Sequence, residues 1–158
     1  MSMSRIQKSI EVDVPVTTAY NQWTQFEEFP LFMEGVEEIQ QLDDSRLRWV
    51  AHIGGKRKEW YAKIINQSPD KEITWKSEEG TWTAGRVAFE PIGLEKTQIT
   101  LEMGYDTESA LETAGDKLGF LERRVQGDLN RFKEFIEARG TETGAWRGEI
   151  PEGSSTPR

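Results

Sequence analysis

LETAGDKLGFLERRVQGDLNRFKEFIEAR, residues 111–139, is the stretch that decides the fold. Its large apolar residues fall at Leu111, Leu118, Leu121, Val125, Leu129, Phe132, Phe135 and Ile136, with Ala114 filling the early gap. Steps of three and four put all of them on one face of a helix. Ser109 followed three residues later by Glu112 is a capping-box pattern, so the spacing predicts a helix from there to Arg139, about 45 Å long. Gly115, Gly119 and Gly127 lie inside it, which points either to close packing against a strand or to a hinge near Gly119.

Upstream of that helix the pattern is one of short strands. Arg5 to Asp13 alternates through Ile6, Ile10 and Val12, with Lys8 breaking the pattern. Pro15 stands where a helix can begin, and Ala19, Tyr20 and Trp23 give that helix an apolar side. Pro30 separates Phe26–Phe29 from Phe32–Met33, so two short helices with a break at the proline are expected. Strands follow at Val36–Leu42, with a bulge, at Arg46–Ile53, at Lys56–Gln67 and at Glu72–Glu78. Gly54-Gly55 is a two-residue hairpin signal, and Glu79-Gly80 marks a further turn. Val87 and Phe89 mark the next strand, Ile92-Gly93-Leu94 a loop, and Ile99, Leu101, Met103 and Tyr105 one face of the last strand. No βαβ alternation occurs, so a parallel nucleotide-binding sheet is not expected. Residues 1–139 read as one domain. Residues 140–158 read as a Gly- and Pro-punctuated tail, docked at first through Trp146 and Ile150 and disordered from Ser154 to Arg158.

Seven strands at ~4.8 Å spacing make a sheet about 30 Å wide. A helix with its side chains is only ~10–12 Å across. A curled sheet can wrap the helix, and space left between the two becomes an apolar pocket unless the protein's own rings fill it.

Composition narrows the chemistry. The chain has 158 residues, 20 basic and 28 acidic, for a net charge of −8, which works against nucleic-acid binding. Cysteine is absent, which excludes disulfides and thiolate chemistry and fits a reducing cytoplasm. No apolar run is long enough to span a membrane or to serve as a secretory signal. The compact basic run Lys56-Arg57-Lys58 is a solvated hairpin end or a weak contact for an anionic membrane surface. His52 is the only histidine and points outward by alternation, so no histidine metal triad is possible and a general-base role is not expected. No GxGxxG, phosphate loop or GxSxG elbow is present, and no cofactor is expected. Ser77 and Tyr105 share faces with Trp75 and Met103, where their hydroxyls can orient a ligand carbonyl or bond to backbone. Arg123 and Arg124 read as a solvated flank of the helix.

Several segments together resemble a known family: Trp60-Tyr61-Ala62-Lys63-Ile64, Ile73-Thr74-Trp75, Gly85-Arg86-Val87-Ala88-Phe89-Glu90-Pro91, Thr97-Gln98-Ile99-Thr100-Leu101 and Asp128-Leu129-Asn130-Arg131-Phe132-Lys133. The chain is similar over about residues 5 to 139 to the polyketide cyclase/dehydrase group. That group includes the coenzyme-Q-binding START-like domains and belongs to the START/birch-pollen-allergen superfamily. The resemblance implies an α+β helix-grip fold: a curved seven-stranded antiparallel sheet wrapped around one long C-terminal helix, with two short helices between strands 1 and 2. It also implies a cavity for a lipid, quinone or polyketide, and no catalytic motif is carried over.

The expected activity is binding or carriage of a hydrophobic small molecule. Its walls are expected at Trp23, Phe29, Phe32, Trp49, Ile53, Trp60, Ile64, Trp75, Val87, Phe89, Met103, Tyr105, Leu118 and Leu121, with Ser77 or Tyr105 setting orientation. One alternative is a cyclase/dehydrase-type enzyme in the same cavity, with Tyr105 moving a proton. Another is a protein-binding module using Trp82, Trp146 or the acidic surface.

Overall fold

A computed structural model describes residues 3–53, 55–80, 83–106 and 117–151; within these ranges the side chains of Met3, Ser4, Ile53, Glu79, Tyr105, Asp106, Lys117, Leu118 and Phe120 lie outside the description. The elements run β1 (Met3–Val12), α1 (Val16–Trp23), a 3-10 helix (Phe26–Leu31), β2 (Val36–Gln41), β3 (Arg46–Ile53), β4 (Lys56–Ser68), β5 (Glu72–Gly80), β6 (Thr83–Gly93), β7 (Lys96–Asp106) and α2 (Lys117–Arg139). The seven strands form one sheet in the order β1-β7-β6-β5-β4-β3-β2. Every pairing is antiparallel. β2 to β7 are a meander, and β1 returns beside β7 where α2 lies against both. This is the helix-grip arrangement of a curled sheet around a long helix. The Ser109–Glu112 cap, Leu111, Ala114 and Gly115 lie outside the described residues. From Lys117 the helix runs unbroken through Gly119 and Gly127.

The pattern residues pack as their spacing requires. Leu121, Val125, Leu129, Phe132 and Ile136 of α2 share one buried core with Ile73, Val87, Ile99 and Leu101 of the sheet. Lys8, the residue that interrupts the β1 pattern, reaches Glu122 of α2 at 3.7 Å. Its inward parity thus ends in an ion pair at the helix flank rather than in the core. Trp23, Phe29, Phe32 and Phe132 close one end of the sheet as an aromatic cluster, with Trp23–Phe29 centroids 5.2 Å and Phe32–Phe132 centroids 5.0 Å apart.

Three boundaries differ from the sequence expectation. The two short helices are parted at Thr24–Gln25, and Pro30 lies inside the 3-10 helix. The Thr24 hydroxyl donates to the carbonyl of Asn21 at 2.6 Å and so competes for an acceptor at the end of α1. Proline's fixed φ near −65° falls within the 3-10 range, so the second turn tolerates it. β5 continues through the expected turn to Gly80. β6 absorbs a bulge between Pro91 and Gly93, and Gly93 pairs with Lys96, so the turn is Leu94–Glu95 rather than Ile92–Leu94. In the β3–β4 hairpin Ile53 pairs with Lys56 and Gly55 has φ +85°, the left-handed conformation that favours glycine.

Residues 141–151 lie over α1. Gln22 and Thr143 bond twice, at 3.1 and 2.9 Å, and Asn21 donates to Glu142 at 2.8 Å. Arg147 donates to Asn21 at 2.6 Å and pairs with Asp70 at 3.0 Å. Ile150 exchanges two backbone bonds with Gln67, of 2.8 and 2.9 Å, along the stretch of β4 that outruns β3. Trp146, half-buried, donates its backbone N–H to the Thr24 hydroxyl at 3.0 Å.

Candidate functional site

β3, β4 and β5 each turn a tryptophan toward the helix. Trp49 stacks on Trp60 at 5.6 Å and on Trp75 at 6.3 Å. The stack sits where Gly85 leaves room, since a Cβ there would fall 2.3 Å from the Trp75 ring. Between the indoles and α2 lies a small cavity, also lined by Met33, Val36, Ala51, Thr83, Leu101, Met103, Arg124 and Asp128. Its free volume is about 30 Å³. That holds about one water, whereas ligand sites run to ~300–1,000 Å³. The rings expected to line a hollow fill most of it.

The walls are apolar but carry donors. The indole N–H groups of Trp49 and Trp60 and the hydroxyl of Thr83 are buried and lack a partner among the described residues. Ser77, read as either orienting a ligand or bonding to backbone, accepts the backbone N–H of Thr83 at 3.1 Å, and Thr83 is among the residues lining the cavity.

One rim of the cavity is charged. Asp128 lies within the buried face of α2. Its carboxylate accepts the N–H of Glu34 at 3.0 Å and Nη2 of Arg131 at 2.5 Å. Burial pushes this carboxyl up to about 6, against the opposing pull of Arg131, the Glu34 N–H and Arg124. Arg124 stands one turn earlier and donates to the His52 carbonyl at 2.8 Å. Gly35 makes room for it: a Cβ there would lie 2.1 Å from the guanidinium, and its φ is +85°. Arg124 is therefore a partly buried rim residue rather than the solvated flank expected of it.

Of the expected wall residues, Trp49, Trp60, Trp75 and Met103 meet at this cavity. Trp23, Phe29 and Phe32 belong to the aromatic cluster with Phe132. Phe89 packs against Tyr20 at 5.4 Å, and Ile64, Val87 and Leu121 are core residues away from the cavity lining. The side chains of Ile53, Tyr105 and Leu118 lie outside the description, as does Trp82. His52 is exposed, with Nε2 3.4 Å from Glu37. Asp128 is a functional candidate that residue-by-residue reading does not single out, and Arg124 is one that it places on a solvated flank. A charge at position 128, three after Val125 and four before Phe132 on the apolar stripe, is the signal that could have found the first. Among the described residues no group of three or more His, Asp or Glu could hold a metal ion. No described helix is long and apolar enough to cross a membrane.

A half-barrel sheet gripping one long helix defines the helix-grip fold. Residues 12–134 match the family of polyketide cyclase/dehydrase and lipid transport proteins, and the chain belongs to that family. An uncharacterized 17.2 kDa protein of Streptomyces lincolnensis, encoded in the melC2–rnhH intergenic region, is 50% identical over 149 residues, 94% of this chain and 99% of the relative. Among solved structures, the Zhui aromatase/cyclase of Streptomyces sp. R1128 superposes with a TM-score of 0.72 at 16% identity, over 92% of this chain and 100% of that one. A START superfamily protein of Mycobacterium smegmatis gives 0.67 at 17% identity, over 85% and 95%. At such identities the likeness is one of fold.

Proposed function

We propose that the protein binds a hydrophobic small molecule bearing hydrogen-bond acceptors, such as a lipid, quinone or polyketide-like compound, between the indole stack and α2. The observation that carries this reading is that three residues lining one apolar cavity, Trp49, Trp60 and Thr83, each hold a buried polar atom without a partner among the described residues. A buried donor without an acceptor costs about 1–3 kcal/mol, and a ligand oxygen removes that cost. The ligand enters by displacing side chains; Met33 and Met103, flexible thioethers on the wall, yield at least cost. Membership in a family of cyclases, dehydrases and lipid transporters supports the reading. We place the activity in the cytoplasm, which suits a chain without cysteine.

Native mass spectrometry of the purified protein, followed by titration with quinones and fatty acids read by tryptophan fluorescence, tests it. Trp60→Phe should weaken a carbonyl-bearing ligand about five- to tenfold and leave a hydrocarbon of the same size unaffected. A protein that is repeatedly isolated empty and responds to no quinone, fatty acid or polyketide refutes the reading.

A second reading, a cyclase/dehydrase-type enzyme on a polyketide-like substrate, is favoured by one observation. The Asp128 carboxyl on the cavity rim, pushed up to about 6, is poised to exchange a proton near neutral pH. Tyr105, at the end of β7, remains the candidate hydroxyl of this reading. Asp128→Asn should then abolish turnover while ligand affinity changes little, and Tyr105→Phe should lower turnover. Unchanged turnover in both variants rules the acid–base assignment out.

A further inference from the structure

The outer face of the sheet carries a feature that the ligand-binding reading does not use. Register places Arg5, Gly104, Ala84, Lys76, Lys63 and Arg46 in one transverse row across six adjacent strands. Like charges directly opposite each other on neighbouring strands repel, yet Lys76 faces Lys63 and Lys63 faces Arg46. Arg46 is relieved by Glu78 at 3.3 Å. Arg5, Lys63 and Lys76 form no ion pair among the described residues, in a chain with 28 acidic residues against 20 basic ones.

Between Arg5 and Lys76 the row holds only Gly104 and Ala84, so the sheet is bare there over a gap of about 14 Å, three strand spacings. That gap is an open groove of about 330 Å³. Its flanks include Arg5, Lys76, Arg86 and Glu102, and Arg86 is held by Glu72 at 2.7 Å. Gly104, Gly85 and Ala84 keep its middle low, and Ile65 and Thr74 also line it. With Arg5, Lys76 and Arg86 against Glu102 and the Glu72 that holds Arg86, the groove keeps an excess of one positive charge on an acidic molecule.

We propose that this groove is a second binding site, taking a small organic anion whose apolar body lies on the Gly104–Ala84 floor and whose charge is met by Arg5 and Lys76. Volume and charge set the class: the space suits one small molecule, the bare floor a flat apolar body, and the flanking cations a carboxylate, sulfonate or phosphate ester.

The test is titration of the full-length 15N-labelled protein with 2-naphthoate, and with 2-naphthalenemethanol as its uncharged counterpart, at low and high salt. The expected result is saturable shifts of the Arg5, Lys76 and Ala84 amides with naphthoate, weaker at high salt and absent with the alcohol. Arg5→Gln and Lys76→Gln should each lower affinity about fivefold. Ala84→Leu, which keeps the charges and fills the floor, should lower it at least about tenfold. Three results overturn the proposal: no saturable shift, equal binding of the alcohol, or shifts confined to the Trp49 and Trp60 indole N–H signals. The last would place the anion in the inner cavity instead.

Discussion

Asp128→Asn probes the balance of forces at the charged rim. Asp128 shares the buried face of α2 with Val125, Leu129 and Phe132. Burial outweighs its hydrogen bonds, and the carboxyl moves from 3.8 up to about 6. The folded chain therefore holds this proton about two pH units longer than the unfolded chain does. Between about pH 4 and 6 the folded state binds more protons, so stability is complete below the window and falls as pH rises through it. Two pK units correspond to about 3 kcal/mol. Asparagine does not titrate and can still accept the Glu34 N–H. Arg131 keeps the Phe32 carbonyl at 2.9 Å and Glu34 at 3.8 Å, so the substitution does not orphan its guanidinium. The variant should match the parent near pH 4 and exceed it by up to about 3 kcal/mol at pH 7. Urea unfolding of both proteins at steps from pH 4 to 8 measures the difference. A difference that stays constant, or one in which the parent gains on the variant as pH rises, refutes the reasoning. The carboxylate would then be a net stabilising partner of Arg131 and Arg124, and its desolvation the smaller effect.

Other substitutions test the packing that positions the site. Gly85→Ala puts a Cβ 2.3 Å from the Trp75 ring and should cost about 1–3 kcal/mol, with loss of near-ultraviolet circular dichroism from the indole stack. Arg147→Ala removes the Asp70 pair at 3.0 Å, the Asn21 bond at 2.6 Å and a cation 5.5 Å from the Tyr20 ring centroid. It should cost about 1–2 kcal/mol and speed hydrogen exchange at the Gln67 and Ile150 amides. Thr97→Val strands the Val14 carbonyl, which now accepts the buried Thr97 hydroxyl at 2.8 Å, and should cost about 1–3 kcal/mol in chemical denaturation.

What could be read from residue order was set by periodicity. The 3.6-residue stripe from Leu121 to Ile136 and the alternation in Arg46–Ile53 and Lys56–Gln67 each dictate one buried face, and those faces are buried. The errors fell where local chemistry competes with a rule of thumb. Pro30 reads as a break only if an α-helix is assumed, and the hydroxyl that helps end α1 belongs to Thr24, six residues earlier. Gly93 reads as a loop unless the bulge at Pro91 is known, and a bulge depends on the partner strand. Arg124 reads as a solvated flank because long cationic side chains beside an apolar stripe usually reach water; only the positive-φ Gly35, distant in sequence, shows the space into which it folds.

The hollow itself shows the limit of an argument from area. Comparing sheet width with helix width counts surface to be covered and ignores the volume of what covers it. β3, β4 and β5 each contribute an indole to one stack, and only about 30 Å³ remains. A core selected for packing alone is better served by Leu, Ile and Phe, which bury no polar atom, than by indoles that each bring an N–H to satisfy. An orphan N–H by itself does not mark a site, since Trp23 Nε1 is also unpartnered and lies away from the cavity. What separates the two places is convergence. The residues around one void bring two buried indole N–H groups and the Thr83 hydroxyl, all without a partner among the described residues, beside the buried Asp128 carboxyl, and hydrocarbon in their place would carry no such desolvation cost. Such a set costs folding free energy unless something outside the chain completes it, and the apolar guest with oxygens that we propose is a molecule that would.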